Sequence, residues 1–186
     1  MDLATRTGLP GPCRYLVEGL PRLRWHEPQV GAMARFWLQM HSGFRRETAA
    51  MTGLANQWRR GGLAVTDLHR QLIPTLQGFL QHLDGHHNIE SHHYFPTMRR
   101  VEPRIGTGID MLDADHDMIH RHLDDLYQSG LVFHRAVVGK APSAGDDAAR
   151  LADALDRAER PLFRHLEDEE DIVIPLISLH ADAFHA

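Results

Sequence analysis

The feature that most constrains this chain is a pattern that occurs twice, 79 residues apart and without a gap. His41, His86, Glu90 and Pro96 recur as His120, His165, Glu169 and Pro175. Apolar positions follow the same shift: Met33 corresponds to Leu112, Phe44 to Leu123, Leu72 to Leu151, Leu76 to Leu155 and Leu83 to Leu162. Apolar spacing and paired histidines that repeat together read as two helix pairs, each carrying half of one site.

The spacing predicts four long helices. From Gln29 to Arg60 there is no proline, and Met33, Phe36, Trp37, Met40, Phe44 and Met51 recur at helical steps. Gly61-Gly62 should end this helix. A second is expected from about Thr66-Asp67 to His93, with Pro96 stopping it. Gly85 lies inside it, where glycine costs about 1 kcal/mol, and either permits a close helix approach or has no role. A third helix is expected from about Ile109 to Val138. A fourth starts at Asp146-Asp147, with an irregularity at Pro161 and an end at Pro175. Leu176 to Ala186 reads as a short terminal helix. Residues 1–28, with Pro10, Pro12, Pro21 and Pro28, read as an irregular N-terminal arm. Leu16, Leu20, Leu23 and Trp25 suggest that this arm lies on the rest. The expected fold is all-α: residues 29–186 form an antiparallel up-down-up-down four-helix bundle.

Composition narrows the function classes. A formal net charge of −5 argues against nucleic acid as the main partner, since phosphate binding needs a basic face. The single cysteine, Cys13, allows neither an internal disulfide nor a thiolate cluster. No apolar run approaches a membrane span or a signal-peptide core, so a cytoplasmic protein is expected. Histidine, with 15 residues, is the outlier, and it is the commonest metal ligand.

Residues four apart on a helix lie on one face, one turn along the axis. His86/Glu90, His116/His120 and His165/Glu169 all have that spacing, and His41 adds a ligand from the first helix. Nitrogen and carboxylate donors without thiolate suit iron, manganese or zinc. Seven ligands exceed the four of one tetrahedral zinc and fit two ions, with Glu90 and Glu169 as bridges. His116, His120 and His165 would then hold one ion, and His41 and His86 the other. Shifting His116 back by 79 residues lands on Trp37, which cannot ligate. One ion is therefore short of a histidine, and Trp37 is expected to border its open position. His82 and His87 read as residues outside the ligand set, His87 because it is offset from the inward face. A ferritin-like site would need more carboxylates, and only Asp113-x-x-His116 approaches its Glu-x-x-His motif.

His41, His86-His87-x-x-Glu90, His116-x-x-x-His120 and His165-x-x-x-Glu169 resemble the hemerythrin-like proteins, the HHE cation-binding domains. The resemblance covers roughly residues 29–178. It implies a four-helix bundle with a non-haem di-iron centre, its two iron ions bridged by two carboxylates and an oxo or hydroxo group. One departure concerns the last carboxylate. Oxygen carriers of this type have an aspartate five residues after the last histidine, where this chain has Glu170, whereas the repeat favours Glu169. The resemblance implies a protein that binds O2 or a related diatomic molecule such as NO, in oxygen, NO or iron handling or sensing. A peroxidase, an NO reductase or an oxidase is the alternative. The sequence does not give an oligomeric state.

Overall fold

The computed structural model describes residues 3–184. The described residues are helical without a strand. After a short helix α1 (Tyr15–Gly19), four long helices follow: α2 (Ala32–Arg59), α3 (Val65–Ile89), α5 (Gly106–Val138) and α6 (Ala144–Leu179), with the short α4 (Phe95–Val101) between α3 and α5. α2 packs on α3 and α6, and α5 packs on α3 and α6, so neighbours in sequence are neighbours in space. This is the antiparallel bundle that short connections favour. Among the described residues, no helix is long and apolar enough to cross a membrane.

Boundaries differ from expectation chiefly at the prolines. Pro96 does not stop the chain. α3 passes into a single π-turn, Glu90–Tyr94, and α4 resumes with Pro96 in its first turn. The wider turn moves the carbonyl that a proline ring would strike, and a first-turn proline costs no hydrogen bond. Pro161 and Pro175 both lie inside α6, which continues to Leu179, and only Ala181–Phe184 form a separate terminal 3-10 turn. α3 begins at Val65 with Ala64 at its cap, so Thr66 and Asp67 lie within its first turn. Gly61 does end the α2 region: its φ of +73° is a backbone conformation that other residues resist. The close helix approach is at Gly130, where an added Cβ would lie 2.8 Å from Leu76, and not at Gly85, where it would meet nothing within 4 Å.

Two apolar clusters fill the bundle. One holds Phe44, Met51, Leu72, Leu83, Ile119 and Leu162. The other holds Trp37, Phe95, Ile109, Leu112, Ile172 and Val173. On each long helix the histidines and glutamates of interest fall between these clusters, so a polar layer is sealed by apolar layers on both sides. The N-terminal arm belongs to this core. Leu3 joins the first cluster, and Leu9, Cys13, Leu16, Leu20 and Trp25 join the second. Each such leucine, once buried, contributes roughly 1.5–3 kcal/mol.

Candidate metal centre

Four helices bring one histidine or more to the polar layer: His41 from α2, His86 and His87 from α3, His116 from α5, and His165 from α6. Glu90, at the start of the π-turn, and Glu169, one turn after His165, complete it. Seven ligand atoms form two groups. His41, His86, Glu90 and Glu169 form one, and His87, His116 and His165 the other; within each, the ligand atoms lie within 4.8 Å of one another.

The glutamates join the groups. Glu90 Oε1 lies 2.7 Å from His86 Nε2, and its Oε2 lies 3.5 Å from His116 Nε2. Glu169 Oε1 lies 3.4 Å from His41 Nε2, and its Oε2 lies 3.2 Å from His165 Nε2. Each carboxylate thus presents one oxygen to each histidine group.

Hydrogen bonding among protein groups leaves this layer unsatisfied. Both oxygens of Glu90, both ring nitrogens of His87 and His165, His116 Nε2 and Glu169 Oε2 are buried without a hydrogen-bond partner. Buried polar atoms are seldom left so, because each orphan costs about 1–3 kcal/mol. The Nε2 atoms of His41 and His86 lie 3.1 Å apart. The converging donors and the orphaned atoms fit a cation.

Electrostatics agrees. Burial and the neighbouring Glu169 push the Glu90 carboxyl well above its ordinary range. Burial would raise Glu169 too, but His41 and His165 outweigh it and hold Glu169 well below. Two buried carboxylates side by side ionise together only when positive charge lies between them. Burial drives His86 down to about 4 and His116 down to about 3. His87 also falls well below its ordinary value through burial and the neighbouring histidines. These imidazoles are neutral, the form that ligates a metal.

Residues behind the ligands orient them. His41 Nδ1 lies 3.2 Å from Glu170 Oε1. Ser91 Oγ donates to Asp113 at 2.6 Å, so it accepts from His116 Nδ1–H at 3.0 Å and leaves Nε2 aimed at Glu90. His165 Nδ1 lies 3.6 Å from Asp115.

The structure brings together His41, His86, Glu90, His116, His165 and Glu169; His120 falls outside both groups but sets its ring edge-on against His87, with centroids 5.5 Å apart. The His120 side chain is 40% exposed, with Nδ1 3.5 Å from Asp84. The inward seam of α5 runs through Leu112, His116, Ile119, Leu123 and Leu126, and His120 lies one residue off it. His87 instead stands third in the group with His116 and His165. It is 1% exposed and its ring stacks on His116 with centroids 4.1 Å apart. The signal was present in the sequence: His87 follows Leu83 by four and precedes Glu90 by three, so it flanks the inward face as closely as His86 does. Glu169 lies between the groups, whereas Glu170 sits behind His41. Asp115 and Asp168, both buried, were not singled out from sequence; Asp168 lies in the acidic run Glu167–Asp171, which reads as a solvated face.

Trp37 Nε1–H donates to Glu169 Oε1 at 2.6 Å, on the side of His41 and His86. A groove of about 650 Å³ runs between α2 and α3 and reaches His86 and Glu90. Its walls include Phe36, Trp37, Met40, Phe44, Ile89 and Tyr94, and Gly85 lines it without narrowing it.

Neither a curated protein nor a solved structure shows a significant match to the chain. The model of the hemerythrin HHE cation-binding domain matches residues 32–177, a span that includes all seven grouped residues and omits the arm. With that match across most of its length, and a buried His/Glu layer suited to a metal, the chain belongs to the hemerythrin HHE cation-binding domain family.

Proposed function

We propose that this chain is a non-haem di-iron protein that binds O2 or a related small molecule such as NO. The observation that carries this reading is the pair of glutamates, each with one oxygen toward each histidine group. A carboxylate so placed suits a bridge between two ions, and a set of five imidazoles and two carboxylates without thiolate suits iron. His87, His116 and His165 would hold one ion, and His41 and His86 the other. Bound iron would supply redox electrons and an exchangeable coordination position.

The protein's own part is to set where that position lies. The His41 and His86 side has one histidine fewer, and Trp37, which can donate but not ligate, stands there. The apolar groove walls limit water at His86, and the Trp37 N–H holds Glu169 in place. Glu170 fixes the ring of His41 from behind, which orients Nε2 inward. The groove is larger than a diatomic molecule needs, which favours keeping one second reading: an enzyme such as a peroxidase, an NO reductase or an oxidase.

The test is metal content per chain by plasma mass spectrometry, joined to the visible spectrum through reduction, return to air and addition of azide. Two irons with azide-sensitive bands that recover in air are expected. One ion, or colourless zinc, would overturn the di-iron reading. Steady consumption of peroxide or NO would move the assignment to the enzyme.

A further inference from the structure

Two cluster histidines are backed by carboxylates, and each of those carboxylates is gripped by an arginine of the N-terminal arm. Behind His165 stands Asp115, its Oδ2 3.6 Å from Nδ1, a charge contact and not a hydrogen bond. Arg6, whose side chain is fully buried, forks onto Asp115 through Nη1 at 3.1 Å and through a closer Nη2 contact. Its Nε donates to Asp168 at 2.7 Å, and Asp168 also accepts from Arg164 at 2.7 Å. Behind His41 stands Glu170. Arg22 reaches Glu170 at 3.4 Å and also donates to Asp171 and to the Glu167 carbonyl, each at 2.7 Å. Arg45 of α2 holds the other oxygen of Glu170 at 2.6 Å. Arg6 and Arg22 lie outside residues 32–177, so the arm adds two arginines to the grips that Arg45 and Arg164 supply from within that span.

We propose that the N-terminal arm is a clamp on the metal centre, in which Arg6 acts through Asp115 on His165 and Arg22 acts through Glu170 on His41. The clamp rests on the metal-binding reading above and adds to it a means of metal retention. A ligating imidazole keeps its tautomer and its aim when its outer nitrogen faces a fixed carboxylate, by hydrogen bond for His41 and by the 3.6 Å charge contact for His165. Arginine is suited to fixing that carboxylate, because its planar fork meets both oxygens at once. The two grips are unequal. Glu170 keeps Arg45 when Arg22 is lost, but Asp115 has Arg6 as its arginine partner among the described contacts. Arg6 and Arg22 are positioning residues, since neither touches the cluster.

The test loads the full chain with cobalt(II) and follows its transfer to a chelator and its visible spectrum. Melting of the metal-free protein is recorded alongside. Arg6→Gln and Asp115→Asn are each expected to lower retention by roughly 10–100-fold and to change the cobalt spectrum. Arg22→Gln is expected to lower retention by less than about 10-fold, and Arg6→Lys to recover only part of the loss. Asp115→Asn keeps the Arg6–Asp168 bond and so keeps the arm docked; a mere structural brace would shift melting and leave its spectrum unchanged. If Arg6→Gln fails to fold, Asp115→Asn decides. Wild-type retention and spectrum in Asp115→Asn would overturn the clamp and leave the metal reading standing. A wild-type chain that takes up no metal would overturn both.

Discussion

The two halves of the centre are built on the same 79-residue shift, and they diverge on α2 and α5. Trp37 and His116 are equivalent positions, and each reaches a carboxylate: Trp37 to Glu169, His116 to Glu90. The other equivalent pair, His41 and His120, differs in burial. His41 is fully buried beside Glu169, whereas the His120 side chain is 40% exposed, with its ring edge-on to His87. In the layer as folded, His87 is the third histidine grouped in one half, while the other half holds an indole, which donates but does not ligate. The difference teaches that a repeated ligand motif fixes the carboxylates and one histidine per half, and that the remaining places are free to diverge.

The largest expected effect comes from what both halves share. Glu169→Gln should abolish metal binding on both sides, seen as metal per chain falling to background, while Glu170→Gln should cost only about 10–100-fold in affinity through His41. Equal loss in the two variants would break the assignment of Glu169 as the shared carboxylate. Next comes the divergent histidine. His87→Ala should lose the ion of its group, and His120→Ala should keep wild-type metal content; the reverse would make His120 the ligand and restore the symmetry of the repeat. Third, Trp37→His should make the halves more alike. Metal content should hold, and the rate of azide binding should drop by roughly 10-fold as a third imidazole fills the open side. An unchanged rate would mean that Trp37 does not border that position.

The smallest expected effect is in pH. Burial lowers His86 to about 4 and His116 to about 3, so below their ordinary value of 6.5 the unfolded chain binds more protons and stability is lost as pH falls. His41 runs the other way: burial opposes its charge, but Glu169 and Glu170 outweigh burial and raise it to about 9. Its contribution is complete below 6.5 and is lost as pH rises toward 9. Metal-free protein should therefore show its highest urea midpoint near pH 6.5, with lower midpoints at pH 4.5 and pH 9. A midpoint that climbs steadily from acid to base would contradict this.

Much of the fold could be read from local spacing. Helical apolar steps, the turn at Gly61 and the short connections define four antiparallel helices, because each helix must bury one stripe and short loops reverse its direction. Prolines misled at two places. Pro96 and Pro175 were expected to end helices but lie within continuing helical structure, where a π-turn and tertiary burial outweigh a local penalty. For the centre, the spacing His86-x-x-x-Glu90 and His165-x-x-x-Glu169 was sufficient, since residues four apart share a face whatever the helix packs against.

By itself, then, the sequence determined the helices, the pseudo-repeat and the residues that repeat with inward apolar neighbours. Only the tertiary structure showed His87 buried in the layer and His120 half-exposed beside it, because a position one residue off a seam turns in or out according to the neighbouring helix. It also decided the role of the arm. That Arg6 reaches Asp115 and Asp168, more than a hundred residues away, follows from how helices pack and not from any local pattern. Local rules set which faces exist, and packing sets which atoms meet between them.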